Sequence, residues 1–168
     1  KAMDQAAGSF VDLHELQLSV GERLAELTHN EAAYVSCGAA SGLLLATAAC
    51  ISRHIPDAYE DFSKLNGVPN EVIVQKMHRN SYDYAIQEAG AKMVEIGSNE
   101  GTKIEDLEGA VSPATVAIFW FQGAMNDPSE LSLKNVIRSA GKHKVPIIVD
   151  AAAQLPPVSN LWNFTQQG

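Results

Sequence analysis

The pattern of apolar and polar positions predicts helices in five separate stretches of the chain. Between residues 12 and 27 the leucines and Val20 fall near helical spacing, and Asp12 can cap the first turn, which predicts an amphipathic helix. A helix rich in small residues is predicted at 39–53. Shorter helices are predicted at 81–90, at 103–110 with Thr102 as its cap, and at 131–144.

The runs between these helices have strand composition. A short first strand is predicted at 32–36, followed by strands at 71–75, 92–96, 115–121 and 145–150. The last of them is apolar on both faces, as expected for a strand covered by helices on each side. The segment from 54 to 70, which contains Pro56, Gly67 and Pro69, is predicted as a loop. Regular alternation of strand and helix predicts a three-layer α/β fold with a mostly parallel sheet.

The chain is predicted to form one domain. Its 168 residues, 46% of them hydrophobic, suffice for one core. We divide it into an N-terminal helical segment, residues 1–28, and an α/β domain, residues 29–168. The first residue is Lys1, and residues 163–168 show no helix or strand pattern, so we expect a piece of a longer protein.

Composition narrows the class of protein. A formal net charge of -8, with scattered basic residues, argues against a surface for nucleic acid or an anionic membrane. Cys37 and Cys50 have no metal-ligand spacing, so neither a zinc site nor a disulfide framework is indicated, which suits a reducing cytoplasm. No apolar run reaches the roughly 18 residues of a membrane span, and no signal peptide is visible.

Ligands of such folds bind at the carboxyl ends of the strands, so the residues that follow each strand are candidates. Residues 36–42 lead directly into a helix, and Gly38 lets the backbone approach a ligand. The free amides at the helix start favour a phosphate, although a tight packing turn would use the same residues. The pattern is neither a dinucleotide fingerprint nor a Walker loop, and Ser41 does not fit a nucleophile elbow.

Two further strand ends carry polar side chains. His78 can lie against an aromatic ligand ring or transfer protons, whereas a lone histidine is more often a loop or capping residue. Arg79 can hold a carboxylate or phosphate, or remain a solvated surface residue. Gln122 ends an apolar run and therefore needs a hydrogen-bond partner, from either a ligand or a neighbouring backbone group.

Asp150 gives the strongest signal. A carboxylate that ends a hydrophobic parallel strand is costly to bury, so it should meet a cation, a metal or several donors, and a protonated pyridine nitrogen would satisfy it. The three alanines at 151–153 leave a flat floor for a planar ring, and Gln154 offers a donor near its edge. An Asx-turn that opens the next loop is the alternative explanation of Asp150.

Together, these motifs resemble the large domain of fold-type-I pyridoxal-phosphate enzymes. They are similar in particular to the selenocysteine synthase-like family, which includes L-seryl-tRNA(Sec) selenium transferase and D-glucosaminate-6-phosphate ammonia-lyase. The likeness also includes residues 11–13, 76–80 and 155–157, so it covers nearly the whole chain. The residues that carry it are Gly38, Ala39, Ala40, Ser41, His78, Gln122 and the run Val149-Asp150-Ala151-Ala152-Ala153-Gln154.

The resemblance implies a role for each candidate. Asp150 would pair with the ring nitrogen of pyridoxal 5'-phosphate and keep it protonated, so that the ring accepts electrons from the substrate's Cα. His78 would stack on the ring. The cofactor phosphate would be held by Gly38, Ala39, Ala40 and Ser41. Gln122 or Gln154 would contact the ring oxygen, and Ala152 would support the other face of the ring. Arg79 would bind the substrate.

The family's Schiff-base lysine lies downstream of the matching aspartate, and no lysine follows Lys144 here. We therefore expect an incomplete large domain that ends before this lysine. The resemblance implies that the parent protein is a lyase or transferase that eliminates or replaces the β-substituent of an amino acid or amino sugar acid. The acidic composition favours a small-molecule lyase over an enzyme that binds tRNA.

The resemblance also implies a homodimer or larger homo-oligomer, with residues 12–16 close to the partner. The alternative hypothesis is a non-catalytic α/β module that binds a phosphorylated ligand or a protein partner, and its support is the missing lysine. A hydrolase is the weakest alternative, because no nucleophile elbow or triad order can be assembled from the sequence.

Overall fold

The computed structural model describes residues 1–55, 67–123 and 127–168. Pro56 of the predicted loop, and residues 124–126 beyond Gln122, lie outside the described residues. The chain begins with the short helix α1 (Ala2–Ala6) and the longer helix α2 (Leu13–Thr28). Asp12 caps α2 as predicted, since its Oδ1 accepts hydrogen bonds from the His14 and Glu15 backbone N–H groups at 2.8 and 3.0 Å.

A parallel sheet of four strands forms the centre of the described structure. Its strands are β1 (Glu71–Gln75), β2 (Lys92–Ile96), β3 (Thr115–Phe121) and β4 (Ile147–Asp150). They lie in the order β2-β1-β3-β4 and run in the same direction. The last residue of β3 is paired with the last residue of β4, so polar side chains beyond the two strands meet at one edge of the sheet.

Helices cover both faces of the sheet, which confirms the predicted three-layer α/β fold. One core cluster joins the sheet to α3 (Ala39–Ser52) and α4 (Tyr84–Glu88) through residues such as Leu43, Ile86 and Phe119. The other joins it to α5 (Ile104–Ala110) and α6 (Leu133–His143) through residues such as Leu107, Val136 and Trp120. None of the helices in the described part is long and apolar enough to cross a membrane.

The predicted first strand is wrong. Residues 32–36 form no strand, and Tyr34 is 70% exposed. The segment is attached through the Val35 carbonyl, which accepts a hydrogen bond from Gln17 Nε2 at 2.9 Å. A segment of strand composition forms a strand only where a neighbouring strand pairs with it by backbone hydrogen bonds. No described strand pairs with residues 32–36.

Three helix predictions needed correction at their starts. The helix predicted at 131–144 begins at Leu133, behind the capping residue Ser132. The helix predicted at 81–90 begins only at Tyr84, because residues 81–83 form turns in which Asn80 Oδ1 accepts the Tyr82 N–H at 2.8 Å. Thr102 does not cap α5. The cap is Lys103, whose N–H is bound by the Asp106 carboxylate at 2.8 Å.

The end of the chain is helical, contrary to the predicted lack of pattern. It forms α7 (Asn160–Asn163) and a 3-10 turn (Thr165–Gln167). The turn after α2 contacts α7, since Asn30 Nδ2 donates to the Leu161 carbonyl at 3.0 Å and the His29 ring packs edge-on against Trp162. The division at residue 28 stays a prediction.

Candidate functional site

Asp150 lies buried at the end of β4, with 6% of its surface exposed. Its Oδ1 accepts the Ala152 N–H at 3.1 Å, the short-range contact expected of an Asx-turn. A carboxylate has about four acceptor positions, and within the described residues no cationic side chain pairs with this one. The group therefore has acceptor capacity left for a cationic donor from a ligand.

Gln122 and Gln154 join the ends of β3 and β4. The Gln122 N–H donates to the Asp150 carbonyl at 2.9 Å, and Gln154 Nε2 donates to the Gln122 carbonyl at 2.9 Å. Asn160 Nδ2 in turn donates to the Gln154 carbonyl at 2.7 Å. These bonds hold both glutamines beside Asp150. The Gln122 side chain accepts the Trp120 Nε1–H at 3.3 Å and donates to the Gly123 carbonyl at 3.5 Å. A contact of Gln122 with a ligand stays a prediction.

The loop before α3 has an unusual backbone at Gly38, with φ of 138° and ψ of 177°. This region is essentially restricted to glycine. A Cβ added there would meet no atom of the described residues within 4 Å, so these residues leave space in front of the backbone. Ala39, Ala40 and Ser41 form the first turn of α3, whose N–H groups lack intrahelical partners and suit an anion.

His78 lies beyond β1 in a short 3-10 turn and is only 2% exposed. Its ring is edge-on to Trp120, with centroids 4.5 Å apart at an interplanar angle of 89°. Nδ1 accepts the Phe121 N–H at 3.3 Å, which ties the turn to the end of β3. Nε2 lies 3.2 Å from Glu130 Oε2, but the two atoms are not aligned as a hydrogen bond, and Nε2 has no other partner among the described residues.

Arg79 is bound by carboxylates of its own chain. It forms ion pairs with Asp83 and Glu95, which link the turn after β1 to α4 and β2. Asp83 is buried, and its hydrogen bond to the guanidinium raises the pKa of Arg79. The arrangement holds the His78 turn in place, and it engages the Arg79 guanidinium with two carboxylates of its own chain.

Sequence reasoning missed two residues near His78. Gln75 is buried at the end of β1, where its side chain accepts the Leu131 N–H at 2.8 Å and donates to the Leu131 carbonyl at 3.1 Å. The sequence did contain a signal for Gln75, because it is a polar residue at the end of an apolar strand, as Gln122 is. Glu130 is held beside His78 by this clamp on Leu131, and nothing in its sequence context distinguishes it.

The structure therefore brings together Asp150, Gln122, Gln154 and Ala152, with His78 attached through Phe121. The Gly38 loop makes no hydrogen bond to them within the described residues, although α3 packs against β3 and β4. A groove of about 800 Å³ lies along the side of β4 and α6 and includes none of the predicted site residues. No group of three potential metal ligands occurs in the described ranges.

Two features are open to a ligand among the described residues. They are the sparsely bonded Asp150 carboxylate and the space in front of Gly38. Together they suit a ligand with a cationic ring nitrogen and an anionic group. The site residues fit pyridoxal phosphate in this chemical sense.

No model of a protein family matches the chain. A solved structure of D-glucosaminate-6-phosphate ammonia-lyase superposes on 99% of it, with a TM-score of 0.90 and 27% identity, and 46% of that structure is covered. An aspartate aminotransferase from Thermotoga maritima, 22% identical, shares the fold with a TM-score of 0.56, over 89% of this chain and 40% of that structure. The chain has the fold of the fold-type-I pyridoxal-phosphate enzymes.

Two curated relatives resemble this fold-type-I chain in sequence. A 5'-C-glycyluridine monooxygenase-decarboxylase from Streptomyces sp is 31% identical over 92% of the chain and 40% of the relative. The D-glucosaminate-6-phosphate ammonia lyase of Salmonella typhimurium (strain 14028s / SGSC 2262) is 28% identical over 92% of the chain and 43% of the relative. The chain thus spans less than half the length of these relatives.

Proposed function

We propose that the protein containing this chain binds pyridoxal 5'-phosphate at the carboxyl ends of β3 and β4. The observation that carries the proposal is Asp150, a buried carboxylate with one backbone donor and no cationic partner among the described residues. A pyridinium nitrogen supplies the missing positive charge, and the carboxylate keeps that nitrogen protonated. The fold shared with D-glucosaminate-6-phosphate ammonia-lyase supports the same cofactor.

The phosphate of the cofactor would bind at the start of α3. Gly38 allows close approach of the backbone, and the free N–H groups of the first turn, with the Ser41 hydroxyl, donate to the phosphate oxygens. The helix dipole adds a favourable charge interaction at this end. Ala39 and Ala40 contribute backbone groups without side chains that would obstruct the ligand.

The ring would lie between His78 and Ala152, with Gln122 or Gln154 at its oxygen. When bound, pyridoxal phosphate supplies an electron-accepting ring that stabilises negative charge at the substrate's Cα. The residues of this chain would hold the ring, and the buried Asp150 carboxylate would keep its nitrogen protonated by pairing with the positive charge. For Arg79 we propose a structural role in place of substrate binding, because Asp83 and Glu95 engage its guanidinium.

We propose that the reaction is elimination or replacement of the β-substituent of an amino acid or amino sugar acid, as a lyase or transferase. The ammonia lyase that resembles the chain acts, by its name, on D-glucosaminate 6-phosphate, which supports an amino sugar acid as the substrate class. None of the chain's own lysines is assigned to the catalytic position, since none follows Lys144.

We also propose a homodimer or larger homo-oligomer in the cytoplasm. The N-terminal segment exposes large apolar side chains that a second copy of the chain would cover, including those of Met3, Phe10, Val11 and Leu13. The free cysteines Cys37 and Cys50 suit a reducing compartment. Sedimentation of the purified protein at several concentrations tests the oligomer, and a monomer at all of them would contradict it.

A non-catalytic module is the second candidate, and the helix start at Gly38, which suits an anion, supports it. Such a module would bind a phosphorylated ligand at the start of α3 without chemistry at Asp150. It differs from the first proposal in one respect that can be measured, namely whether bound pyridoxal phosphate becomes covalently attached.

Titration of the purified full-length protein with pyridoxal phosphate, followed by borohydride, separates the two candidates. We expect saturable binding, a new visible absorbance band, and loss of that band on reduction with a covalently retained cofactor. Release of ammonia from D-glucosaminate 6-phosphate would then test the substrate class. Binding of inorganic phosphate without any such band would favour the module, and no binding of either would contradict both.

A further inference from the structure

The hydrogen bond at His78 Nδ1 determines where the proton of the imidazole lies. β1 and β3 are paired as far as Val74 and Phe119, so the Phe121 N–H lies beyond the ladder and donates to Nδ1 at 3.3 Å instead. A ring nitrogen that accepts a hydrogen bond carries no proton. The remaining proton of the neutral ring is therefore on Nε2.

Glu130 places a carboxylate beside that nitrogen. The two groups are not aligned as a hydrogen bond, so it is the negative charge next to Nε2 that favours a proton there. Glu130 Oε2 lies 3.2 Å from Nε2, and the Glu130 side chain is only 12% exposed. Its other oxygen, Oε1, accepts the Asp127 N–H at 3.1 Å, and its own N–H donates to the Asp127 carbonyl at 3.0 Å. The carboxylate is thus held by the backbone of its own loop, with one oxygen directed to His78.

Buried contacts fix this loop against β1. Both backbone groups of Leu131 are bound by Gln75, which is 3% exposed, so the residue next to Glu130 cannot shift without breaking two buried hydrogen bonds. Asn80 Nδ2 donates to the His78 carbonyl at 3.1 Å and holds the other partner. The His78 and Glu130 side chains are therefore set from two separately anchored segments.

We propose that Glu130 is a positioning residue, which keeps the His78 imidazole in its Nε2–H tautomer and holds the ring perpendicular to Trp120 before any ligand binds. The consequence for the cofactor rests on the proposed function, because His78 is the residue proposed to lie against the ring. Without Glu130, the buried Nε2–H group would lose the negative charge beside it, and it has no hydrogen-bond partner among the described residues. The imidazole would then leave this orientation.

Nitrogen NMR of the full-length protein labelled with 15N-histidine tests the inference without cofactor. The His78 signal is assigned by its loss in His78→Gln. We expect one tautomer, with the proton on Nε2, in the wild type and in Glu130→Gln, whose amide oxygen still presents a partial negative charge to Nε2. We expect Glu130→Leu to lose this single tautomer and to change the near-ultraviolet circular dichroism of Trp120. Exposed Glu88, mutated to Leu, is the control and should leave both signals unchanged.

Titration of the same proteins with pyridoxal phosphate gives a second measurement. Glu130→Leu should weaken binding by roughly tenfold, because the ring proposed to lie against the cofactor loses a buried polar interaction of about that size, and Glu130→Gln should restore most of it. A wild-type proton on Nδ1, or a Glu130→Leu spectrum identical to that of the wild type, would overturn the role of Glu130. Absence of any cofactor binding would contradict the proposed function, while the tautomer still decides this inference.

Discussion

The carboxyl ends of β1 and β4 differ in how their polar groups are satisfied. At the end of β1, Gln75 and the following Arg79 bind partners within the chain, and His78 is tied to Phe121. At the end of β4, Asp150 is buried but receives a single backbone hydrogen bond from the described residues. Buried polar groups that bind partners in the chain stabilise the fold, whereas a buried carboxylate with few partners is a candidate for binding a ligand. Variants at the two ends should therefore have different effects.

The largest loss of stability is expected for Gln75→Leu. The change leaves the Leu131 N–H and carbonyl buried without a partner, at a cost of about 2 to 4 kcal/mol in the free energy of unfolding. Denaturant unfolding measures it. The matched control is Gln87→Leu, an exposed position on α4 where we expect no appreciable change. Equal stability of the two variants would show that the clamp on Leu131 contributes little.

A smaller loss is expected for Gly38→Ala. Its backbone conformation should cost an alanine about 1 to 3 kcal/mol, and the added methyl group would occupy the space proposed for the phosphate. Gly109→Ala in α5, where the added Cβ also meets nothing, is the control and should be neutral or slightly stabilising. Unfolding curves and pyridoxal phosphate titrations measure both effects. Unchanged affinity in a folded Gly38→Ala protein would argue against phosphate binding there.

Arg79→Met should destabilise the protein without impairing substrate binding. The buried Asp83 carboxylate loses its partner, but Arg79 is partly exposed and solvent screens the pair, so about 1 to 2 kcal/mol is expected. Steady-state kinetics should give an unchanged KM. A KM raised roughly tenfold or more, the loss expected for one charge-assisted hydrogen bond, would instead establish Arg79 as a substrate-binding residue.

The smallest effect on stability is expected at Glu108, a surface residue that belongs to neither of the two strand ends. Hydrogen bonds from His143, Lys142 and Ser139 lower its pKa to about 2. Because the folded carboxyl has the lower pKa, its contribution to stability is present above the ordinary value of 4.5 and disappears as the pH falls towards 2.

Glu108→Gln should therefore lower the melting temperature slightly at neutral pH and not at all at the acidic end of that range. Added salt should reduce the difference, because the group is exposed. A difference between the two proteins that did not depend on pH would show that charge at Glu108 is not the cause.

Sequence patterns predicted the layers of the fold because apolar spacing reports burial directly. The Asp12 cap and the strand from 115 to 121 follow from local chemistry and from a long apolar run. Residues 32–36 were misassigned since strand formation depends on a partner that composition cannot indicate. The late start of α4 depends on turn contacts of Asn80 that the pattern of residues 81–90 does not reveal.

The candidate site was predictable only where a polar residue ends an apolar strand. That signal identified Asp150 and Gln122, and it applied equally to Gln75, which was overlooked. The roles of Arg79 and Glu130 depend on which distant side chains they meet, namely Glu95 and His78, and sequence spacing does not contain that information. Arg79 was predicted to bind the substrate and is now proposed to be structural, whereas Glu130 was not predicted and is now proposed to position His78.

The most direct test of the central claim compares the affinity of two ligands for wild-type and Asp150→Asn proteins. The ligands are pyridoxal phosphate and its analogue with carbon in place of the ring nitrogen. The account predicts that the wild type prefers pyridoxal phosphate by roughly ten- to a hundredfold, the value of one charged hydrogen bond, and that the variant loses this preference. Equal affinity of the wild type for both ligands, or an undiminished preference in the variant, would contradict the pairing of Asp150 with the ring nitrogen.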